Sequence, residues 1–371
     1  MRILVAPDKF KGSLGAADVA DSIAAGLRDA LPDALITCLP VADGGEGTAA
    51  AICSAAAGNW HSCTVHDPLG SPVVAHYCTI EDGTVAVMEM SEASGAWRVP
   101  PRMRDPIAAS SFGTGEMLLD ASRGGAATII IGLGGSATND GGFGTARALG
   151  YRFLDRDRRE LVSNVSVLAR LEHIEAPVRL ELPAIVIAAD VANPLLGSNG
   201  ATRVFGPQKG ATPEQLEMLE RALERLADVV ERDLGQHFRN TPGAGAAGGL
   251  AFGLLSFCSA SLRSGFEVVA ERIGLADAVR ESDAVVTGEG RLDAQTLEGK
   301  APFGVARLAL AAAKPVHAIA GEIEEGFESD RLFTTVRALV RGSVSREEAI
   351  RTTGVLLRAR ARELAEEQFR H

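Results

Sequence analysis

MRILVAPDK, residues 1–9, joins an apolar run at 3–6 to a proline and two charged residues. Residues 16–31 then carry apolar side chains at helical spacing. A short apolar strand, a polar loop and an amphipathic helix form the repeating unit of α/β folds. The same kind of apolar run, bounded by Gly, Pro or Asp, returns at 35–39, 128–131, 184–189, 284–287 and 315–320.

Helical spacing returns between these runs, at residues 117–122, 213–234 and 302–313. Strands that alternate with helices predict a parallel sheet with right-handed crossovers. Residues 345–369 are typical of a terminal amphipathic helix.

One region departs from this alternation. Residues 61–65, 73–80 and 84–90 are predicted strands, and the turns between them contain Pro68-Leu69-Gly70 and Glu81-Asp82-Gly83. Short turns of this kind are typical of antiparallel hairpins.

The length of 371 residues suits about two domains. We therefore predict an α/β protein of two domains. An open parallel α/β domain, flavodoxin-like or Rossmann-like, is formed by 1–60 and 245–371, and a mixed α/β domain is inserted at 61–244.

Composition excludes several classes of protein. The chain has 46% hydrophobic and 23% charged residues, which is typical of a globular protein and not of a disordered one. Its net charge of −11 opposes binding to nucleic acids and to anionic membranes. The five cysteines include no C-x-x-C pair, which argues against a zinc site or a disulfide framework.

The run at 3–6 is too short for a signal peptide, and the uncharged stretch 240–262 holds Pro242 and many glycines, unlike a membrane span. We expect a cytoplasmic protein. The 41 glycines suggest loops in which the backbone approaches a small-molecule ligand.

Five polar loops follow predicted strands, where open α/β sheets place their ligands. Each has a structural alternative, a capped or solvated turn. The candidate residues of the first two loops, at 6–14 and 40–48, are Asp8, Lys9 and Lys11, and Asp43, Gly44, Gly45 and Glu46. Carboxylates such as Asp43 and Glu46 suit Mg²⁺ in phosphoryl transfer.

The third loop, 132–142, has the amides and hydroxyls of an anion-binding cradle. Its candidates are Gly134, Gly135, Ser136, Asn139 and Asp140. Gly132-x-Gly134-x-x-Ala137, with Asp155 18 residues after Ala137, also imitates a dinucleotide fingerprint, so a nicotinamide-dependent hydroxy-acid dehydrogenase stays an alternative. A second match, Gly243-x-Gly245-x-x-Gly248, follows no predicted strand.

The last two loops add acids and cations. Their candidates are Asp190, Asn193 and Lys209 within 188–210, and Glu289, Arg291, Asp293 and Lys300 within 286–300. An acid at a strand end can accept a substrate proton, and the second set suits phosphate with a metal. Gly299-Lys300 lacks the spacing of a Walker A loop.

Whole segments resemble the bacterial glycerate kinase family, in order and spacing, along nearly the whole chain. They are APDKFKGSL at 6–14, PVADGGEGT at 40–48, GGSATNDGG at 134–142, FGPQKG at 205–210 and TGEGRLD at 287–293. The sequence departs from the family pattern at Phe10 and, more loosely, at 322–330.

The resemblance implies phosphorylation of D-glycerate that depends on ATP and Mg²⁺, usually at the 2-hydroxyl to give 2-phosphoglycerate, with 3-phosphoglycerate as the open alternative. It also implies two α/β domains with the active site in the cleft between them. A ligand-sensing module without catalysis is a further alternative. Whether the chain forms a homodimer stays open.

On this basis we assign hypothetical roles. Asp190 accepts or orients the glycerate hydroxyl proton, and Lys9 and Arg291 hold the carboxylate or the transferring phosphoryl group. Asp43 and Asp293 hold Mg²⁺. The remaining candidates bind substrate or phosphate, with Lys209 and Lys300 neutralising charge in the transition state.

Overall fold

The computed structural model describes residues 1–293, 300–327, 332–342 and 344–369. Its strands are β1 (Arg2–Val5), β2 (Leu35–Cys38), β3 (Asn59–His66), β4 (Pro72–Ile80), β5 (Val85–Glu89), β6 (Thr128–Gly132), β7 (Arg152–Leu154), β8 (His173–Glu175), β9 (Ala184–Ala188), β10 (Ser261–Arg263), β11 (Ala284–Leu292), β12 (Val316–Ile323) and β13 (Thr335–Ala338).

Its helices are α1 (Ala16–Ala30), α2 (Thr48–Ala55), α3 (Ser91–Ser94), α4 (Phe112–Arg123), α5 (Phe143–Ala148), α6 (Ala201–Phe205), α7 (Pro213–Leu234), α8 (Ala246–Cys258), α9 (Gly265–Arg272), α10 (Leu275–Glu281), α11 (Ala301–Ala311), α12 (Arg346–Arg351) and α13 (Thr353–Gln368). Among the described residues, every helix is too short or too polar to cross a lipid bilayer.

The chain divides into two compact units. Unit 1 contains Met1–Asp43, Ala50–Ala56 and Phe266–His371, and unit 2 contains Gly44–Ala49 and Ala57–Gly265. The predicted domain limits, with 61–244 inserted, stay a prediction.

Unit 1 has a five-stranded parallel sheet in the order β2–β1–β11–β12–β13. This is the strand order of the flavodoxin-like doubly wound fold, and it confirms the predicted fold class. Ile3, Leu4 and Val5 of β1 are each at most 1% exposed, because helices cover both faces of a doubly wound sheet. Ile3 and Val5 belong to one apolar cluster with residues of α1 and α13.

Unit 2 has a six-stranded mixed sheet in the order β10–β9–β6–β5–β4–β3. The pairs β3–β4 and β4–β5 are antiparallel, which confirms the predicted hairpins, whereas the other neighbours are parallel. One apolar core in this unit includes sheet residues with residues of α4 and α8. A second core includes residues of α7 together with Phe143 and Phe153, whose rings meet edge to face.

The predicted elements are present, and the largest differences in their limits are at three of them. The strand predicted at 284–287 continues to Leu292, because β11 stays paired with β12 as far as Leu292 opposite Ile323. The helix predicted at 117–122 is part of the longer α4. The terminal helix is two helices, since Thr352 leaves helical angles and its hydroxyl donates to the carbonyl of Glu348.

Candidate active site

The centre of unit 1's sheet has the topology of a ligand site. From β1 the chain crosses over to β2, and from β11 it crosses over to β12, which lies in the opposite direction along the sheet. Ligands of open α/β sheets bind outside the carboxyl ends of the strands where the order reverses in this way. The loop after β1 is fixed to β11 there, since Asp8 N donates to Gly288 O at 2.8 Å and Thr287 Oγ1 donates to Ala6 O at 2.7 Å.

The amine of Lys9 forms ion pairs with two carboxylates at this edge. Its Nζ lies 3.7 Å from Asp8 Oδ1 and 3.8 Å from Asp43 Oδ1. The loop after β2, which carries Asp43, reaches this point because Val41 N donates to Pro7 O at 3.0 Å. Burial, opposed by Lys9 and reinforced by the charge of Asp43, raises the pKa of Asp8 to about 6.

A second group of charged residues lies in the last part of β11 and just after it. Lys300 Nζ lies 3.1 Å from Asp293 Oδ1 and 3.8 Å from Glu289 Oε2. Arg291 Nε lies 3.8 Å from Asp293 Oδ2, and its Nη2 is 2.8 Å from Glu324 Oε1. The sequence predicts Glu289 and Arg291 in a loop, but both belong to β11. Residues 294–299 of the predicted loop lie outside the described residues.

Sequence reasoning did not identify Glu324 or the close backbone approach at Gly290. A Cβ at Gly290 would lie 3.3 Å from the backbone nitrogen of Lys11, so the loop after β1 passes close to β11 at this point. Lys11 itself is exposed.

In unit 2, glycines seat the loop 44–49 against the ends of β6 and β9. Gly44 has φ +83°, and a Cβ there would lie 2.5 Å from the carbonyl oxygen of Ala188. A Cβ at Gly134 would lie 2.4 Å from the Cα of Gly45. Neither position has room for a side chain, so both glycines are required by packing. Glu46, in the same loop, is exposed.

Glu89, which the sequence analysis did not select, also holds this loop. Its Oε1 accepts hydrogen bonds from Gly47 N at 2.9 Å and Ala49 N at 3.0 Å. The available signal was an acid near the end of the strand predicted at 84–90, the same signal that identified Asp190.

The loop after β6 is anchored by two backbone hydrogen bonds and has amides without a protein acceptor among the described residues. Gly135 O accepts from Ala96 N, and Ala137 N donates to Ser94 O. Within the described part of the chain, the amides of Gly134, Gly135 and Ser136 donate to no protein group. These three amides could therefore bind an anion.

The other predicted residues of this loop are internal. Asp140 is 1% exposed, and its carboxylate accepts from Ser111 N, Ser111 Oγ, Gly142 N and Gly144 N. Burial raises the pKa of Asp140, although these hydrogen bonds oppose the rise. Asn139 is fully buried and its Nδ2 donates to Thr202 Oγ1 at 2.9 Å.

Lys209 is also internal. It is 5% exposed, and its Nζ donates to the carbonyl oxygen of Thr138 at 2.6 Å. Burial lowers the pKa of Lys209 to about 7, in spite of the nearby charge of Asp140. The side chain therefore fixes the backbone at Thr138.

Asp190 and Asn193 follow β9, and both are half-buried. Asp190 Oδ1 accepts from Gly265 N at 2.9 Å, and Asn193 Nδ2 donates to Asn199 O at 2.8 Å. The first bond orients the Asp190 carboxylate, and a carboxylate that serves as a general base needs a defined orientation.

The structure distributes the predicted residues between the two units. Unit 1 holds Asp8, Lys9, Lys11, Asp43, Glu289, Arg291, Asp293 and Lys300. Unit 2 holds Gly44, Gly45, Glu46, Gly134, Gly135, Ser136, Asn139, Asp140, Asp190, Asn193 and Lys209.

The chemistry of unit 1's acids fits Mg²⁺ in company with phosphates. Over the described ranges, no three carboxylate, imidazole or thiolate side chains gather around one point. Mg²⁺ needs no such set, because it keeps several waters and takes one or two carboxylates plus phosphate oxygens. Asp43 and Asp293, each within 4 Å of a lysine amine, have carboxylate oxygens that could serve as such ligands.

Comparisons with known proteins identify the family. The family model of the glycerate kinase family matches residues 3–368. The chain belongs to the glycerate kinase family. The glycerate kinase of Haemophilus influenzae is 45% identical over 88% of both chains, and that of Bacillus subtilis is 42% identical over 98% of this chain and 97% of the relative. The glycerate 2-kinase of Escherichia coli is 44% identical, over 88% of this chain and 86% of that one.

Solved structures give the same family. A Salmonella typhimurium LT2 crystal structure assigned as glycerate kinase 2 superposes with a TM-score of 0.86 at 42% identity, covering 99% of this chain and 98% of that one. The chain is therefore a kinase, and glycerate kinase is its function. The dehydrogenase and ligand-sensor alternatives are set aside.

The structure also explains why the dinucleotide-like pattern at residues 132–137 is misleading. A dinucleotide motif requires a helix that opens at its glycines, but after β6 the next helix, α5, begins only at Phe143. The glycines of the second match pack instead: a Cβ at Gly248 would lie 2.1 Å from the carbonyl oxygen of Thr138.

Proposed function

We propose that this glycerate kinase transfers the γ-phosphoryl group of ATP, as its Mg²⁺ complex, to the 2-hydroxyl of D-glycerate, and so forms 2-phosphoglycerate and ADP. The observation that carries the proposal is the similarity to the Escherichia coli relative named for 2-kinase activity. Transfer to the 3-hydroxyl, giving 3-phosphoglycerate, is the alternative product.

Asp190 accepts the proton of the substrate hydroxyl in this proposal. The hydroxyl oxygen forms a bond to the γ-phosphorus as the bond from that phosphorus to the β,γ-bridging oxygen breaks, and ADP leaves. The hydrogen bond from Gly265 N supports the role, since it holds one carboxylate oxygen in place.

Cations balance the charge of the transferring group. Lys9 and Arg291 hold the glycerate carboxylate or the phosphoryl group, and Lys300 neutralises charge on the phosphates. Asp43 and Asp293 hold Mg²⁺, which would neutralise the phosphate oxygens when bound. The amides of Gly134 and Gly135, with Ser136, bind phosphate.

The internal residues act on the loop rather than on the substrate. The contacts of Asn139, Asp140 and Lys209 support a role in fixing residues 138–144 so that the amides of residues 134–136 are presented in one arrangement. Asp8, Lys11, Glu46, Asn193 and Glu289 complete the proposed binding set, with Gly44 and Gly45 giving the backbone its close approach.

The proposal includes a cytoplasmic location and two domains, the first of 1–60 with 245–371 and the second of 61–244. A homodimer is compatible with it.

The test is a product assay. The purified chain is incubated with MgATP and D-glycerate, ADP release is measured, and the product is passed to enolase with and without phosphoglycerate mutase. We expect enolase alone to suffice, since enolase consumes 2-phosphoglycerate. A requirement for the mutase would establish 3-phosphorylation, and no ADP release above that of Asp190→Asn would contradict the proposal.

A further inference from the structure

Glu89 is the last residue of β5, and it lies beside Gly132 at the end of β6. The side chain is half-buried at the carboxyl edge of unit 2's sheet. Carboxylates in such places are costly to bury unless they accept hydrogen bonds. The contacts that Glu89 makes are therefore informative about its role.

A single oxygen of Glu89 accepts two backbone amides from the start of α2. The Oε1 atom lies 2.9 Å from Gly47 N and 3.0 Å from Ala49 N. These amides belong to the first turn of a helix, where donors lack intrahelical partners and a negative charge is favoured. Charge-assisted bonds of this kind are about twice as strong as neutral ones.

The backbone preceding these amides packs closely against neighbouring backbone, with no room for a side chain at its glycines. A Cβ at Gly132 would lie 2.6 Å from Gly44 O, and one at Gly44 would lie 3.0 Å from the Cα of Gly265. Gly265 is the residue whose amide holds Asp190. The loop 44–49 is thus held between Glu89 on one side and the Asp190 anchor on the other.

Asp43 is bonded directly to Gly44, so the position of its carboxylate depends on how this loop is held. We propose that Glu89 is a positioning residue for Asp43: it holds the loop 44–49 so that the Asp43 carboxylate is presented to the metal of the MgATP complex. This inference rests on the proposed function, because it takes Asp43 as a ligand of that metal.

The assignment differs from a purely stabilising role. A carboxylate that only stabilised unit 2 would, when removed, lower stability without selecting one ligand. A positioning carboxylate, when removed, weakens the metal-dependent part of nucleotide binding. Groups that orient metal ligands typically change metal affinity by about 10–100-fold when they are replaced.

Glu116 gives a matched control in the same unit. Its carboxylate also accepts a backbone amide, that of His66 at 2.7 Å, and it contacts the imidazole of the same residue. These contacts lie at β3, the edge strand that is two strands away from β5 in unit 2's sheet. Glu116→Gln therefore neutralises a carboxylate that accepts a backbone amide elsewhere in unit 2, as Glu89→Gln does at the loop 44–49.

The experiment compares the full-length wild type with Glu89→Gln, Glu89→Ala and Glu116→Gln. Calorimetric titration measures Kd for MgADP and, in EDTA, for metal-free ADP, and kinetics give the free Mg²⁺ concentration at half-maximal activity. We expect Glu89→Ala to weaken MgADP binding and to raise the half-maximal Mg²⁺ concentration, each by about tenfold or more. Metal-free ADP binding should stay within about twofold.

Glu89→Gln keeps an acceptor oxygen without the charge, so it should give an intermediate loss, and it serves if Glu89→Ala does not fold. Unchanged MgADP binding in Glu89→Gln and Glu89→Ala, an equal loss in Glu116→Gln, or an equal loss of metal-free ADP binding would overturn the positioning role. A wild-type chain that binds MgADP but does not phosphorylate D-glycerate would instead contradict the proposed function alone.

Discussion

The carboxylate of Asp190, the proposed proton acceptor, is oriented by a backbone hydrogen bond. One carboxylate oxygen accepts from Gly265 N at 2.9 Å, and an asparagine could keep this bond while losing the basic oxygen. Asp190→Asn should therefore fold normally and lower kcat by about 10²–10⁴-fold. Coupled ADP release measures kcat, and circular dichroism verifies the fold. A near-normal kcat would remove the proposed role.

Lys209 should make the stability of the folded protein depend on pH, and its lowered pKa fixes the direction of this dependence. Burial lowers its pKa from the ordinary value of 10.5 to about 7, so at intermediate pH the unfolded chain binds a proton that the folded chain does not. Stability then rises with pH. The free energy of unfolding of the wild type, relative to Lys209→Met, should increase by about 2 kcal/mol between pH 7 and pH 9.

Urea unfolding of Lys209→Met and the wild type at the two pH values measures this difference. A constant difference between the two proteins would mean that the folded amine keeps its proton at pH 9, and so that its pKa is not lowered by burial.

At the scale of elements, α7 begins with a capping box. The hydroxyl of Thr212 accepts from Gln215 N, and the Gln215 side chain accepts from Thr212 N. Thr212→Ala should lower the free energy of unfolding by about 1 kcal/mol, because two first-turn donors lose or loosen their partners. Thermal unfolding would detect the loss, and kcat should be unchanged. A matching loss of activity would show that the start of α7 also serves the site.

A substitution at Gly134 tests whether the position of the loop 44–49 matters for activity. A Cβ at Gly134 would lie 2.4 Å from the Cα of Gly45, and backbone cannot yield as a flexible side chain can. Gly134→Ala should displace the loop and lower kcat/KM by about 10²-fold. The control is Gly15→Ala, whose Cβ would meet only Asp18 Oδ2 at 3.7 Å. Equal activities in the two variants would mean that the loop position does not matter.

At the scale of the whole molecule, ligands of the folded state should stabilise it. A non-hydrolysable MgATP analogue at 100 times its Kd should raise the free energy of unfolding by about 2.7 kcal/mol. Thermal unfolding with the analogue, with D-glycerate and with NADH compares the ligand classes. Stabilisation by NADH alone would contradict the proposed use of MgATP.

The elements of this fold were readable because their signals are local. The run 3–6 predicts β1, and the helical spacing of 213–234 predicts α7. Burial of one or both faces of an element imposes an apolar pattern on its own residues, so the pattern can be recognised from the local sequence. The end of β11 was not readable. Its residues 288–292, Gly-Glu-Gly-Arg-Leu, resemble a loop, and they form a strand because β12 pairs with them.

The sequence by itself determined the α/β class, the hairpins of unit 2, the family and the polar loops at strand ends. Only the tertiary structure decided which polar residues point inward. Asp140 and Lys209 lie in the same kinds of motif as Asp43 and Lys9, yet they are buried. It also revealed Glu89, whose partners are 40 and 42 positions away in the chain. The reason is physical: composition and spacing report local preferences, whereas burial and hydrogen-bond partners depend on segments that meet only after folding.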